Sequence, residues 1–427
     1  MQENIILTIP TLPVYFNTGA YYIADQMRKN GINVSVYDGR HTNLNDLLPE
    51  INRTVKRIFL SNTYSDENQI NKLVELLADI NPEIKVYYNR RTSANRISRD
   101  NKWQYPVSWT ELVNPAQIYQ ICGVQGPKHR HDIQTYQHHY HVDDNLTHKH
   151  AGLVISEGCQ FKCKFCSDPG TGKRAGTNLR GKEFIAEELA LNYQNYGIDH
   201  YYLTCSTFNE TEKKIEDFLE AIDMSGVKIK WTSFARLELL NKQLHLVDDM
   251  VDHGLLGFQL GLETTSYEAG KVIGKYCNID DFKQSLTALK RIPALSSNFI
   301  FGLPFDNKER LYNDAFSLLE GGYLHSVAAT TLTMNDKMFG YEEIVPWIEE
   351  LQQHYTYEGN KWVLDGIHED EFEKTTLEFT KNTRIKSGLP CWFISHLSSQ
   401  GYSLDTLLKL RTQDYINHVF NGTPLIK

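Results

Sequence analysis

The chain has 427 residues, and at about 150 residues per domain it holds two or three domains. Hydrophobic residues at 41% and charged residues at 23% exclude a disordered chain, and 44 basic against 53 acidic residues, net −9, exclude a generally basic nucleic-acid coat. No apolar run approaches the ~20 residues of a membrane span, and MQENIILTIPTLP lacks a basic stretch followed by an apolar one, so a cytoplasmic protein is expected, with no secretory signal and no membrane partner.

In chain order, ENIILTIP reads as a buried strand and Gly19 to Lys29 as an amphipathic helix that Gly31 ends. INVSVYD and RIFLSN read as strands two and three, Asn68 to Leu77 as a helix, EIKVYYN as strand four and AQIYQICG as strand five, ending at Gly123. Parallel strands need helical crossovers, so this rhythm predicts a doubly wound, flavodoxin- or Rossmann-like parallel sheet over 1–125. Such sheets bind ligands beyond the carboxyl ends of their strands.

Residues 126–150 read as a linker. It carries seven of the sixteen histidines: His129, His131, His138, His139, His141, His148 and His150. Histidine clusters bind transition metals, but no regular ligand spacing appears, which favours a solvated connector.

From Ala151 the alternation restarts with GLVIS, DHYYLTC, KIKWTSF, LLGFQLG, SNFIFG and SVAATTL as strands. Helical stretches lie between them, among them Lys182 to Asn195, Glu212 to Met224 and Lys308 to Leu319. Six βα units without a reversal predict a partial (β/α)6 TIM-type barrel over 151–338, with its chemistry at the carboxyl ends of the strands. Residues 339–427 read as a mostly helical C-terminal extension. Its aromatics (Trp347, Tyr355, Tyr357, Trp362, Trp392, Phe393) read either as core or as a cover for the barrel mouth.

The seven cysteines are Cys122, Cys159, Cys163, Cys166, Cys205, Cys277 and Cys391. An odd number with three crowded together is a poor disulfide framework, and crowded thiols in a reducing compartment suggest metal. The crowded three form Cys159-Gln-Phe-Lys-Cys163-Lys-Phe-Cys166, just beyond the first barrel strand. Three thiolates on one loop can hold three corners of a cubane and leave the fourth iron open, as a catalytic site does. A zinc site would want a fourth nearby Cys or His, and none sits at short spacing.

This CxxxCxxC spacing, with an aromatic before the last cysteine, resembles the radical S-adenosylmethionine (radical SAM) superfamily over about residues 151 to 335. The resemblance implies a [4Fe–4S] cluster on Cys159, Cys163 and Cys166. SAM chelates the open iron, and one electron splits it into methionine and a 5′-deoxyadenosyl radical. It implies further SAM contacts. Phe165 lies against the adenine. Glu263 in GFQLGLETTS accepts ribose hydroxyls. Gly302, with Pro304, shapes the adenine turn in SNFIFGLPFDN. Arg236 in KWTSFARLELL meets the SAM carboxylate. Where the family often has a Gly-Gly-Glu-like segment after strand two, this chain has LTCSTFNE, so Ser206, with Thr204 and Thr207, takes the place of the amino-group contact. Cys205 in the same segment reads as a buried structural cysteine.

A doubly wound domain, a linker and then this barrel resembles the cobalamin-binding-domain subfamily, many of whose members methylate unactivated carbon or phosphorus. GAYYIADQMRKNGINVSVYDGR resembles that domain's first helix and second strand, and NPEIKVYYN the segment into its fourth. There is no DxHxxG motif to offer a lower axial histidine, and ICGVQG only loosely resembles the Gly-Glu-rich loop. Two readings stay open: a cobalamin-dependent methyltransferase acting on a small metabolite or peptide, and a cobalamin-free enzyme of rearrangement, dehydrogenation or C–C bond formation. A passive cluster-binding protein is the non-enzymatic alternative. Cys122 alone precedes the motif and only Cys391 follows Cys277, so a single cluster is expected. The resemblance also implies a reducing partner, flavodoxin or ferredoxin, and nucleic acid is disfavoured as a substrate by the acidic charge.

Overall fold

The computed structural model describes residues 4–8, 18–39, 55–61, 75–77, 79–81, 83–89, 108–112, 116–124, 140, 149–166, 179–275, 279–332, 350–359 and 361–425. Most of the expected helix from Asn68 to Leu77, six of the linker histidines, Cys277 and Trp347 lie outside these residues.

The N-terminal strands β1 (Asn4–Thr8), β2 (Val34–Asp38), β3 (Arg57–Ser61), β4 (Lys85–Asn89) and β5 (Ser108–Leu112) form a parallel sheet in the order β2-β1-β3-β4-β5. That is the flavodoxin-like doubly wound order. β1 is buried at every residue, as an apolar run covered on both faces should be. The helix Thr18–Lys29 buries Ala20, Tyr21, Ala24 and Met27 on one face. Arg28 and Lys29 oppose the negative end of its dipole, and Gly31 follows at φ 77°.

The fifth strand is a correction. AQIYQICG does not extend: Ala116–Ile121 is a helix, and the strand is SWTEL before it. Ile118 and Ile121 recur at helical spacing, and Gly123 at φ 74° ends the turn by donating its N–H to the Gln120 carbonyl. SWTEL escaped notice because it is a polar-rich strand at the sheet edge, with no continuous apolar run.

The second sheet is the predicted one. β6 (His150–Leu153), β7 (His200–Leu203), β8 (Lys230–Ala235), β9 (Leu255–Glu263), β10 (Ala294–Phe301) and β11 (Ser326–Thr331) are parallel neighbours in sequence order. The helices Lys182–Tyr196, Glu212–Ser225 and Lys308–Glu320 lie where the periodicity put them. Thr211 and Asn307 cap the second and third of these through their side chains. Between strands and helices Trp231, Phe258, Phe208 and Phe218 pack ring against ring, with centroids 4.9–6.0 Å apart. Each is fully buried, and burying such a side chain stabilises the fold by about 1.5–3 kcal/mol. Tyr140, the one described residue of 126–148, bridges the helices Thr18–Lys29 and Lys182–Tyr196 that flank the two sheets. Its ring meets Tyr21 at 5.2 Å and Tyr196 at 6.3 Å, and its carbonyl accepts from the Tyr196 hydroxyl.

The C-terminal region is mostly helical, as expected, with a small antiparallel sheet that was not. β12 (Thr356–Glu358), β13 (Lys361–Leu364) and β14 (Ile367–His368) form an antiparallel meander before the helices Glu369–Thr383, Cys391–Ser399, Leu404–Leu407 and Thr412–Asn421. The signal was Asp365-Gly366, both at positive φ, the pair that a tight hairpin prefers. The aromatics divide between two places. Trp392 and Phe393 belong to the apolar core built around the Cys391–Ser399 helix. That helix closes the amino ends of the strands: Cys391 donates its N–H to Ser296, Ser398 bonds His200, and the rings of His396 and His150 meet at 5.6 Å. Tyr355 instead reaches the opposite end, donating its hydroxyl to the Gly302 carbonyl just after β10. Among the described residues, no helix is long and apolar enough to cross a membrane.

His325, just before β11, gives the fold a pH dependence. Burial, reinforced by Arg411, pushes its imidazole down from 6.5 to about 4. Between those values the unfolded chain binds a proton that the folded chain refuses, so stability rises with pH in that window. Chemical denaturation across the window should show His325→Gln losing less stability on acidification than the native chain; an equal loss in both would contradict this.

Candidate active site

The loop after β6 carries Cys159, Cys163 and Cys166, the first two buried and the third half-buried. Four buried groups fix it. At its entrance Arg180 donates to the Val154 and Phe184 carbonyls (3.1 and 3.0 Å) and pairs with Glu188 at 2.6 Å. Next, Glu210 accepts the Gln160 backbone N–H at 2.5 Å, and its carbonyl accepts from the Gln160 side chain at 3.0 Å. Lys214 stands 3.6 Å from Glu210 and donates to the Thr207 carbonyl at 2.6 Å. At the centre Arg236 donates to Cys163 Sγ at 3.2 Å, with its guanidinium stacked 3.8 Å from the Phe161 ring. The loop ends with the Lys164 N–H on the Ile273 carbonyl and Lys164 Nζ 2.6 Å from Glu350.

The thiol chemistry suits a metal that binds thiolate. Burial pushes the Cys159 thiol up, against the hydrogen bond it shares with the Thr207 hydroxyl at 3.4 Å. Burial alone would lower Arg236; Glu238 and Cys163 outweigh it and hold the guanidinium charged beside the thiols. Among the described residues, no three His, Cys, Asp or Glu side chains converge on a single metal ion. Thiolate donors are what an iron–sulfur cluster takes, one on each of three irons.

Across from the loop, β9 ends at Glu263, a buried residue held at φ 63°. Its Oε1 pairs with Lys275 Nζ at 2.9 Å, and the same ammonium lies 5.8 Å from the Phe165 ring centroid. Phe165 packs on the cluster of Ala269, Ile273, Ile300, Leu303 and Leu351. Gly302 turns at φ 92°, where an L side chain would be strained. The turns after β9 and β10 are tied together: Thr264 donates to Asp306 at 2.5 Å, and Ser266 donates to the Phe305 carbonyl at 3.1 Å. Cys159, Cys163, Cys166, Phe165, Arg236, Glu263 and Gly302 therefore lie at or beyond the carboxyl ends of the strands, where a barrel places its chemistry.

The segment LTCSTFNE divides its residues. Thr204 and Ser206 are exposed beyond β7, Thr207 turns to Cys159, and Cys205 is buried with its sulfur 3.5 Å from the Ser233 hydroxyl. Its one acid, Glu210, is spent under the cysteine loop. Arg236 already holds a carboxylate, Glu238, through Nε at 2.5 Å and through Nη2. Sequence reasoning missed Glu210, Phe161 and Lys275. Phe161 was visible inside the motif; the other two become neighbours only through the fold.

Residues 153–317 match the family model described as the radical SAM superfamily. This chain carries a radical SAM domain. An uncharacterized methyltransferase of Pyrococcus horikoshii is 30% identical over 166 residues, 37% of this chain and 34% of the relative, so the match spans about a third of that protein. Among solved structures, TsrM of Kitasatospora setae, a radical SAM methyltransferase bound to a tryptophan substrate and a SAM analogue, has a TM-score of 0.58 at 11% identity and covers 94% of this chain and 96% of its own. OxsB, a cobalamin-dependent SAM radical enzyme with aqua-cobalamin and SAM bound, scores 0.54 at 14% identity over 94% of this chain and 66% of its own. At these identities the likeness is one of fold. It runs through the N-terminal sheet as well as the radical SAM domain.

Proposed function

We propose that the protein is a radical SAM methyltransferase that uses cobalamin and acts on a small metabolite or peptide. The observation that carries this reading is the cysteine loop, clamped by Arg236 and Glu210 at the carboxyl end of β6, in a chain that also holds a flavodoxin-like sheet. Cys159, Cys163 and Cys166 would hold a [4Fe–4S] cluster. When bound, that cluster supplies the electron that splits SAM into methionine and a 5′-deoxyadenosyl radical.

The chain's own residues bind and orient. Phe165 offers a ring to the adenine, and Glu263 offers carboxylate oxygens to the ribose hydroxyls. Arg236, stacked on Phe161, offers a guanidinium to the SAM carboxylate in exchange for Glu238. Ser206 and Thr204 are exposed on the side where the amino group would lie. Register places Tyr202, Phe234, Gln259 and Asn298 on one face of adjacent strands, opposite the helix-packed Tyr201, Phe258 and Leu260. These four inner side chains are uncharged, which suits a neutral reacting part of the substrate. A flavodoxin or ferredoxin would deliver the electron in the cytoplasm.

Cobalamin belongs to the same proposal. It is supported by the order β2-β1-β3-β4-β5, whose carboxyl edge is a ligand site in doubly wound sheets, and by the fold shared with OxsB. The loops beyond β1, β3 and β4 lie outside the described residues, so no step is drawn through cobalamin. The test is corrinoid retention. Protein reconstituted anaerobically with iron and sulfide, mixed with hydroxocobalamin and desalted, should keep one corrinoid per chain in its absorption spectrum. A cluster spectrum without corrinoid would overturn cobalamin dependence and leave the cobalamin-free reading.

A further inference from the structure

We propose that Lys275 is a positioning residue for SAM: its ammonium aims the Glu263 carboxylate at the ribose hydroxyls. The inference deepens the reading of Glu263 as the ribose acceptor and rests on it.

Three observations converge. The first is the bonding of the ammonium. Lys275 Nζ lies 2.9 Å from Glu263 Oε1 and donates to the Gly261 carbonyl at 2.6 Å, so it spans the last turn of β9 from one side. It occupies Oε1 alone. Among the described residues no hydrogen bond is made to Oε2, which stays available to a hydroxyl donor.

The second is the space cleared for this lysine. A Cβ on Gly261 would stand 2.5 Å from Lys275 Nζ and 2.7 Å from Glu263 Oε1. A Cβ on Gly270 would collide with the Lys275 carbonyl oxygen, where the Lys275 N–H folds back onto the Gly270 carbonyl at 2.7 Å. One glycine admits the lysine backbone and the other admits its side chain. A surface ion pair formed by chance would need neither.

The third is the state of the acceptor. Glu263 sits at φ 63°, an unfavourable region for a side chain of its size, and it is buried. Such a conformation persists only where neighbours hold it. The ammonium does so from a nearly enclosed position, with Lys275 and Glu263 side chains 12% and 10% exposed. It also lies within reach of the Phe165 ring face, at 5.8 Å from the centroid. Lys275 therefore stands between the residue offered to the adenine and the residue offered to the ribose.

The test is calorimetric titration of the anaerobically reconstituted full chain, without reductant, using three probes: SAM, 5′-deoxyadenosine and 2′,5′-dideoxyadenosine. The last two differ by one ribose hydroxyl. The native chain should prefer the probe that keeps the hydroxyl. Lys275→Met should weaken SAM binding about ten-fold, the scale of one charge-assisted hydrogen bond, and abolish the hydroxyl preference, with iron content near that of the native chain and a melting temperature lowered by the buried carboxylate left without its cation. Lys275→Arg should restore most of the preference. Lys275→Gln serves in place of Met if the Met variant fails to fold. Retained hydroxyl preference in the Met or Gln variant would overturn the proposal, whether or not SAM affinity falls, because loss of affinity alone marks a structural tether. Glu263→Ala, which removes both acceptor oxygens, separates the underlying reading. If it keeps the preference, Glu263 is not the ribose acceptor; if it loses the preference while Lys275→Met keeps it, only the role of Lys275 falls.

Discussion

Replacing Cys163 by Ala is expected to remove the cluster and, with it, SAM cleavage, by more than about 100-fold; outer-shell partners of metal ligands alone are worth about 10–100-fold. Cys163 is the middle of the three thiols, and Arg236 donates to its sulfur at 3.2 Å. With that sulfur gone, two thiols remain on the loop, and the buried guanidinium loses an acceptor. Cys159→Ala and Cys166→Ala should behave alike. Iron and sulfide content after anaerobic reconstitution, with the visible absorption spectrum, reads the result directly. Cys205→Ala is the contrasting variant. Its sulfur is buried against Ser233, so it should keep a full complement of iron. Full iron in Cys163→Ala, or iron loss in Cys205→Ala equal to it, would contradict the assignment.

The second large effect is expected at Glu210, which touches no cysteine sulfur. Its carboxylate accepts the Gln160 N–H and faces Lys214, a side chain 2% exposed. Glu210→Ala leaves a buried ammonium whose remaining partner is the Thr207 carbonyl. Breaking one side of a buried pair costs about 3–5 kcal/mol. The same change frees the first turn of the cysteine loop, so iron should leave faster on exposure to a chelator. Chemical denaturation and a chelator time course measure both effects. Glu210→Ala,Lys214→Met removes both charges and should recover part of the stability without recovering the chelator resistance, because the Gln160 N–H still lacks its acceptor. Unchanged stability in Glu210→Ala would mean that the loop does not depend on this clamp.

Much of this was legible along the chain. The six barrel strands could be read because each is an apolar run bounded by helices with a 3.6-residue period, and parallel strands covered on one face by helices carry that pattern. The three cysteines could be read because contiguity in sequence places them on one loop. Strand five could not, because SWTEL is an edge strand whose polar residues blur the alternation, while the apolar AQIYQICG beside it competed for the assignment. The meander of β12 to β14 was missed because its strands are two to four residues long, too short for any period; only the Asp365-Gly366 pair announced it. The aromatic C-terminal segment could not be placed as a unit, because Tyr355 and Trp392 lie at opposite ends of the same barrel. Glu210 and Lys275 were invisible for a simpler reason. Glu210 is 50 residues from Gln160, and Lys275 reaches Glu263 only through the gap left by Gly261.

The central claim is that SAM is cleaved reductively at the site built by the cysteine loop. The most direct measurement is 5′-deoxyadenosine formed when the anaerobically reconstituted full chain, loaded with iron, is mixed with SAM and a strong one-electron reductant. The expected result is 5′-deoxyadenosine in amounts that follow the iron content and vanish in Cys163→Ala. A full complement of iron with no 5′-deoxyadenosine above the Cys163→Ala background would contradict the claim.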